Sequence, residues 1–223
     1  MRAHLMVEGR DDWFVIKNLL LAHAVKLVER SDQELEVTCN DVTATVGYSA
    51  YGEGGIPELL KSLPVRLKQS GLDRLVVVVD ADTDLSARWA SVTDVLARAG
   101  AETPLGSPHA GGTRFSIPSG PTVDVWVMPD NSVAGMLEDF LRALVPKECS
   151  LLPQVDGFIA SLPAAPNRYR EAHRAKAVIH TWLSIQDPPG RPLGQAVMNR
   201  MVDPFHEPGT VFVTWLKNAL VGP

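Results

Sequence analysis

Cysteine is nearly absent: Cys39 and Cys149 stand alone among 223 residues, with no Cys-x-x-Cys pair. Two isolated thiols exclude a disulfide framework and a four-cysteine zinc site, so the expectation is two reduced cysteines. No uninterrupted apolar run reaches the ~18 residues of a membrane helix, and no basic segment leads into an apolar one at the N-terminus. The chain is therefore expected to be cytoplasmic, with neither span nor signal peptide. Positive charge is also short. Lys and Arg number 21 against 26 Asp and Glu, a net charge of −5, which argues against bulk binding of nucleic acid by the whole surface. The six histidines include no His-Glu-x-x-His spacing, so none is offered as a metal ligand.

What is present suffices for one large domain or a domain with an appendage. Residues 1–150 hold 14 Lys and Arg against 21 acids, or −7, while residues 151–223 hold 7 against 5, or +2. That split, with a change to helical patterning after Leu151, divides the chain into an acidic, metal-suited α/β body (1–150) and a mildly basic helical C-terminal extension (151–223) packed on it.

The chain is organised around Leu75-Val76-Val77-Val78-Val79-Asp80-Ala81-Asp82-Thr83-Asp84. Five apolar residues, four of them β-branched, read as a strand buried on both faces of a parallel sheet. The acids sit at its C-terminal end, the edge where ligands bind in open α/β sheets. Asp80 and Asp82 lie two apart, so in an extended chain both carboxylates point to one side and repel unless a cation intervenes. A divalent metal is the simplest remedy. Asp84 also suits the cap of a following helix, and the other two acids suit a solvated loop.

Other acids recur at comparable places. His4-Leu5-Met6-Val7 is a strand ending at Glu8-Gly9, followed by a helical pattern from Trp13 to Leu27, which puts Asp12 in the first helical turn. Acids there also favour the helix dipole, an equally good account of Asp11 and Asp12. Residues 35–48 read as strands broken at Asn40-Asp41. Gly52, Gly54 and Gly55 before Pro57 match neither the Walker phosphate loop nor the dinucleotide fingerprint, and serve better as a helix entry. Helices are expected from Pro57 to about Ser70 and from Asp84 to Arg98, with a loop over 103–112. The alternation of strand and helix favours right-handed parallel crossovers. Strands over 114–117 and 123–128 lead to Asp130 and a short helix carrying Glu138 and Asp139. From Asn167 to Ile185 an amphipathic helix sets Tyr169, His173, Lys176 and His180 on one stripe, where Lys176 could meet a phosphate or be a solvated surface cation. Gly209 to Leu220 reads as a packing helix.

Val7-Glu8-Gly9-Arg10-Asp11-Asp12, followed about seventy residues later by Val79-Asp80-Ala81-Asp82, resembles the Toprim domain of topoisomerases, primases and related nucleases. With Met128-Pro129-Asp130-Asn131 and Gly135-Met136-Leu137-Glu138-Asp139, the whole chain is similar to a stand-alone, uncharacterised Toprim-like family of bacteria and archaea (DUF3226-like) related to the overcoming-lysogenization-defect nucleases. The resemblance implies an α/β fold with a Toprim-like, mostly parallel sheet and helices on both faces. It implies that Glu8, Asp80 and Asp82 hold Mg2+ or Mn2+, joined by Asp12, Glu138 and Asp139 as further metal ligands, and that Lys176 matches a late catalytic lysine. Asp12 stands where the related nucleases carry a Glu. The sequence shows no ATPase module, topoisomerase tyrosine domain or primase zinc module, so strand passage and primer synthesis are not expected.

The reading is thus a metal-dependent phosphodiesterase or nuclease acting on DNA or RNA. Two others stay open. Asp80-Ala81-Asp82-Thr83 could serve an aspartyl-phosphate phosphatase of the haloacid dehalogenase kind, though that motif expects Thr or Val where Asp84 stands. The same acids could also serve a non-catalytic subunit or regulator that binds metal or nucleic acid.

Overall fold

The computed structural model describes residues 1–102, 106–166 and 168–222. They form a seven-stranded sheet in the order β2-β3-β4-β1-β5-β7-β6. Its middle is parallel: β1 (Arg2–Val7) lies between β4 (Val42–Ala50) and β5 (Arg74–Asp80), and β5 pairs with β7 (Thr122–Met128). Antiparallel hairpins finish both edges. On one side β2 (Lys26–Ser31) and β3 (Glu34–Cys39) lead back to β4, and on the other β6 (Thr113–Ser116) folds onto β7. The β3–β4 turn is Asn40-Asp41, both at positive φ, as a tight hairpin of this hand requires.

The all-apolar strand behaves as its sequence predicts. Leu75, Val77 and Val79 enter one apolar cluster and Val76 and Val78 the other, since successive side chains leave opposite faces of a strand. On the first face lie α2 (Gly55–Leu67) and α3 (Leu85–Arg98). On the second lie α1 (Arg10–Ala22), α4 (Leu137–Ala143) and the C-terminal helices α5 (Leu151–Ser161), α6 (Arg174–Ser184), α7 (Leu193–Met198) and α8 (Glu207–Val221). Trp126 of β7 meets Phe212 and Trp215 of α8 at ring-centroid distances of 5.2 and 5.1 Å, so the last helix is seated on the middle of the sheet. Among the described residues no helix is long and apolar enough to cross a membrane.

Two local expectations change. The helix expected to reach Leu27 stops at Ala22, because Ala24 takes a left-handed φ of 58° and Leu27 joins the exposed edge strand β2. Periodicity misled there because Leu27 keeps the helical spacing while serving a strand. The helix expected from Asn167 begins at Arg174, after a single 3-10 turn at Glu171–His173; Asn167 itself lies outside the described residues. The Gly52–Gly55 segment is a helix entry, a 3-10 turn running into α2. Of the loop expected over 103–112, residues 103–105 lie outside the described residues.

Candidate functional site

The chain leaving β1 enters α1 on one face of the sheet, and the chain leaving the neighbouring β5 enters α3 on the other. Neighbouring parallel strands whose exits diverge open a crevice at their C-terminal ends. Glu8 and Asp80 stand at its two lips. They are locked together, since Asp80 N–H donates to Glu8 Oε1 at 2.8 Å. The Glu8 carbonyl also accepts from Tyr51 N–H at 3.1 Å, tying the end of β4 to the same point.

Helix starts supply the rest. Asp12 is the third residue of α1, and its Oδ2 accepts from Gly9 N–H at 2.9 Å, so the first turn aims the carboxylate back at the strand end. Asp80 Oδ1 accepts from Leu137 N–H, the first amide of α4, at 3.0 Å, and this bond carries Glu138 to the crevice. Glu138 is only 5% exposed and Asp12 7%. Lys176, on α6, brings its Nζ to 3.8 Å from Glu138 Oε1.

Burial raises the proton affinity of all four acids, and repulsion from the other carboxylates of the crevice adds to it at Asp12 and Asp80. Burial first, then Glu8, pushes the Asp12 carboxyl from 3.8 up to about 7, against the pull of the Gly9 amide. Asp80 is driven well above its ordinary value by burial and then by the charges of Asp12, Glu8, Glu138 and Asp82. Burial also raises Glu8, opposed by the Asp80 amide and Arg88. It raises Glu138 too, opposed chiefly by Lys176 and also by His180. Acids from separate parts of the chain thus meet at one buried point, where Asp12 and Asp80 feel their neighbours' charges most.

The two remaining expected ligands face elsewhere. Asp82 does not continue the extended strand. Its φ is 52°, its backbone bridges to Gly135, and its half-exposed carboxylate pairs with Arg88 Nη2. Arg88 Nε also donates to the Asp80 carbonyl at 2.7 Å, so this arginine braces the Asp-x-Asp turn. Asp82 still acts through space on Asp80 and Glu8. Asp139 Oδ2 accepts from Met136 N–H at 3.0 Å, capping α4 as Asp12 caps α1, but its side chain lines a separate cavity with Pro129, Phe140 and Pro208. Asp84, as a cap would, accepts from Ala87 N–H at 3.0 Å. Arg88 carries no motif of its own in the sequence, whereas His180 already shares the stripe of Lys176. The one available signal for Arg88 was its place one helical turn after Asp84, in the first turn to leave the strand end.

The donors suit a hard cation, since all are carboxylate oxygens, and among the described residues Glu8 Oε2 and Asp80 Oδ2 accept no protein hydrogen bond. Among the described residues, though, no three His, Cys, Asp or Glu side chains are gathered tightly enough to be a ready-made ion cage. A cavity of about 620 Å³ between α2, α3 and the β6–β7 turn lies at the opposite edge of the sheet, and none of these acids lines it.

Among solved structures, the hypothetical protein PH0156 from Pyrococcus horikoshii OT3 is similar over 98% of this chain and 95% of its own, at 17% identity and a TM-score of 0.53, a likeness of fold alone. The hypothetical protein SA1046 from S. aureus (10% identity, 57% and 91% of the two chains, TM-score 0.20) and the fosfomycin resistance protein FosX from Listeria monocytogenes (12%, 64% and 94%, 0.20) are too dissimilar to carry an argument. No curated protein matches the chain. The family described as Protein of unknown function (DUF3226) matches residues 2–221, nearly the whole length, and the chain belongs to that family.

Proposed function

We propose that the protein is a Toprim-type, Mg2+- or Mn2+-dependent phosphodiesterase that cleaves nucleic acid in the cytoplasm. The observation that supports this best is the convergence of Glu8, Asp12, Asp80 and Glu138, all buried and raised in proton affinity, beside Lys176 at the C-terminal edge of a parallel sheet. Glu8 and Asp80 would hold the ion through the oxygens that accept no protein hydrogen bond, with Asp12 and Glu138 as the further carboxylates of the donor set. A bound divalent cation supplies positive charge that polarises the phosphodiester and acidifies water. The chain's own groups do the rest. Lys176 sets an ammonium where negative charge grows on the phosphate. Arg88 fixes the Asp80–Asp82 turn, so that Asp80 stays aimed into the crevice while Asp82 stays at its mouth.

The test incubates the purified chain with labelled single- and double-stranded DNA and RNA in Mn2+, beside Asp80→Asn. Asparagine keeps an acceptor for the Leu137 amide and removes the charge. Cleavage by the wild type and its loss in the variant are expected; equal cleavage by both would falsify the proposal.

A second reading is favoured by one observation, the lack of a ready-made three-ligand cage among the described residues. On it the acids bind an ion for stability or to bridge nucleic acid, with no cleavage. A large rise in melting temperature with Mg2+ and no product on any substrate is the result that selects it.

A further inference from the structure

The C-terminal part owes its positive excess to one short segment. Residues 168–176 contain Arg168, Arg170, Arg174 and Lys176 with Glu171 as the one acid, while the rest of 151–223 carries three Lys and Arg against four acids. This segment forms the 3-10 turn and the first turn of α6. Helical spacing puts Lys176 and His180 in one exposed row that His173, the residue before α6, continues, with exposed Arg170 just ahead of the 3-10 turn and half-buried Arg174 at the helix start. Val178, Ile179, Trp182 and Leu183 bury the opposite side of α6, so the basic row faces solvent by construction. The row starts at the acid centre: Lys176 lies 3.8 Å from Glu138 Oε1, and His180 acts on the same carboxylate. Among the described residues neither Arg170 nor Arg174 has an acidic partner or a side-chain hydrogen bond. They differ in this from Arg88, Arg114 and Arg142, which are paired.

Lys176 ties this row to the acid centre, while Arg170 and Arg174 carry uncompensated positive charge at the start of the same helix. We propose that Arg170, His173 and Arg174 form, with Lys176, a phosphate track that lays one strand of nucleic acid along α6 and leads it into the acid centre. This deepens, and rests on, the reading of that centre as a nucleic-acid site. The track is one side chain wide on a molecule of net charge −5, so it suits the phosphates of a single strand better than the two backbones of a duplex. Arg168 is not part of it: its guanidinium donates to the Leu162 carbonyl at 2.9 Å and to the Tyr169 hydroxyl, holding the turn that presents the others.

The experiment measures binding of fluorescent single-stranded DNA and RNA oligonucleotides by anisotropy, in chelator and over a salt series, so that cleavage plays no part. Arg170→Ala/Arg174→Ala, which leaves Lys176 in place, is expected to weaken binding at least tenfold. It should also flatten the dependence of log K on log salt by about 1.4, two phosphate contacts of a single strand. A melting temperature near that of the wild type shows the double variant folded, and Arg170→Lys/Arg174→Lys should recover most of the affinity. No binding by the wild type, unchanged binding by the alanine variant, or equal displacement by polyglutamate overturns the track. Intact binding without cleavage leaves the track standing and removes the nuclease.

Discussion

Asp80 serves two structural partners before any ligand arrives: its amide holds Glu8 and its carboxylate starts α4. That economy has a consequence for pH. Asp80, Asp12, Glu8 and Glu138 all hold protons more tightly folded than unfolded, so the native state binds more protons and stability falls as pH rises. For Asp12 the fall starts near its ordinary 3.8 and is complete above about 7. In chelator, the melting temperature is expected to decline across that window, and Asp12→Asn, which keeps an acceptor for Gly9, should flatten the decline. Because an ion and protons compete for the same oxygens, Mn2+ should raise the melting temperature far more at about pH 8 than at about pH 5. A rise of the same size at both pH values would show that these carboxylates do not receive the ion. Asp82 teaches a related lesson at this scale. Two acids in an x-Asp-x-Asp pattern share a side only while the chain is extended, and the left-handed φ at Asp82 ends that extension.

At the scale of elements, the site depends on how closely helices approach one another. Gly194 of α7 lies against Phe14 of α1: a Cβ there would sit 2.7 Å from Phe14 Cβ and 3.0 Å from its carbonyl carbon. Asn18 Nδ2 donates to the Gly194 carbonyl at 2.8 Å in the same buried contact. Gly194→Ala must therefore push α7 away from α1, the helix that aims Asp12. A loss of about 1–3 kcal/mol is expected in urea denaturation, with a smaller Mn2+ response than the wild type's. Asp84→Ala makes a contrasting pair. It removes the cap of α3 and should cost about 1 kcal/mol while leaving the ion response intact, since Asp84 faces the Ala87 amide and not the crevice. If Asp84→Ala abolished the ion response, the boundary drawn around the site would be wrong.

For the molecule as a whole, the two faces of the sheet are covered by different parts of the chain. Helices α2 and α3, both from the first hundred residues, cover one, whereas the other draws heavily on residues beyond 150, among them Trp182, Leu183, Phe212 and Leu216, each at most 1% exposed. Removing residues 151–223 would strip apolar cover from Trp126 and Phe140, which are themselves 1% exposed. A chain of residues 1–150 is expected to lack a cooperative melt and to aggregate. Lys176 would be lost with it. A soluble fragment melting like the full chain would show that the C-terminal helices are dispensable for the fold.

The sequence by itself determined the elements with strong local signatures. Unbroken β-branched runs made buried strands, Asn40-Asp41 made a hairpin, and Asp84 made a helix cap, each because short-range sterics and hydrogen bonding leave little choice. It also marked Glu8, Asp12, Asp80 and Glu138, since acids at strand ends and in first helical turns are visible as spacing. Only the tertiary structure decided which of the six acids face one another. The bond from the Leu137 amide to Asp80 brings Glu138 to the crevice, Asp139 turns to a separate cavity beside Pro129 and Pro208, and Arg88 draws off Asp82. Those choices depend on backbone direction at the ends of β5 and α4, which long-range packing sets and no local spacing records.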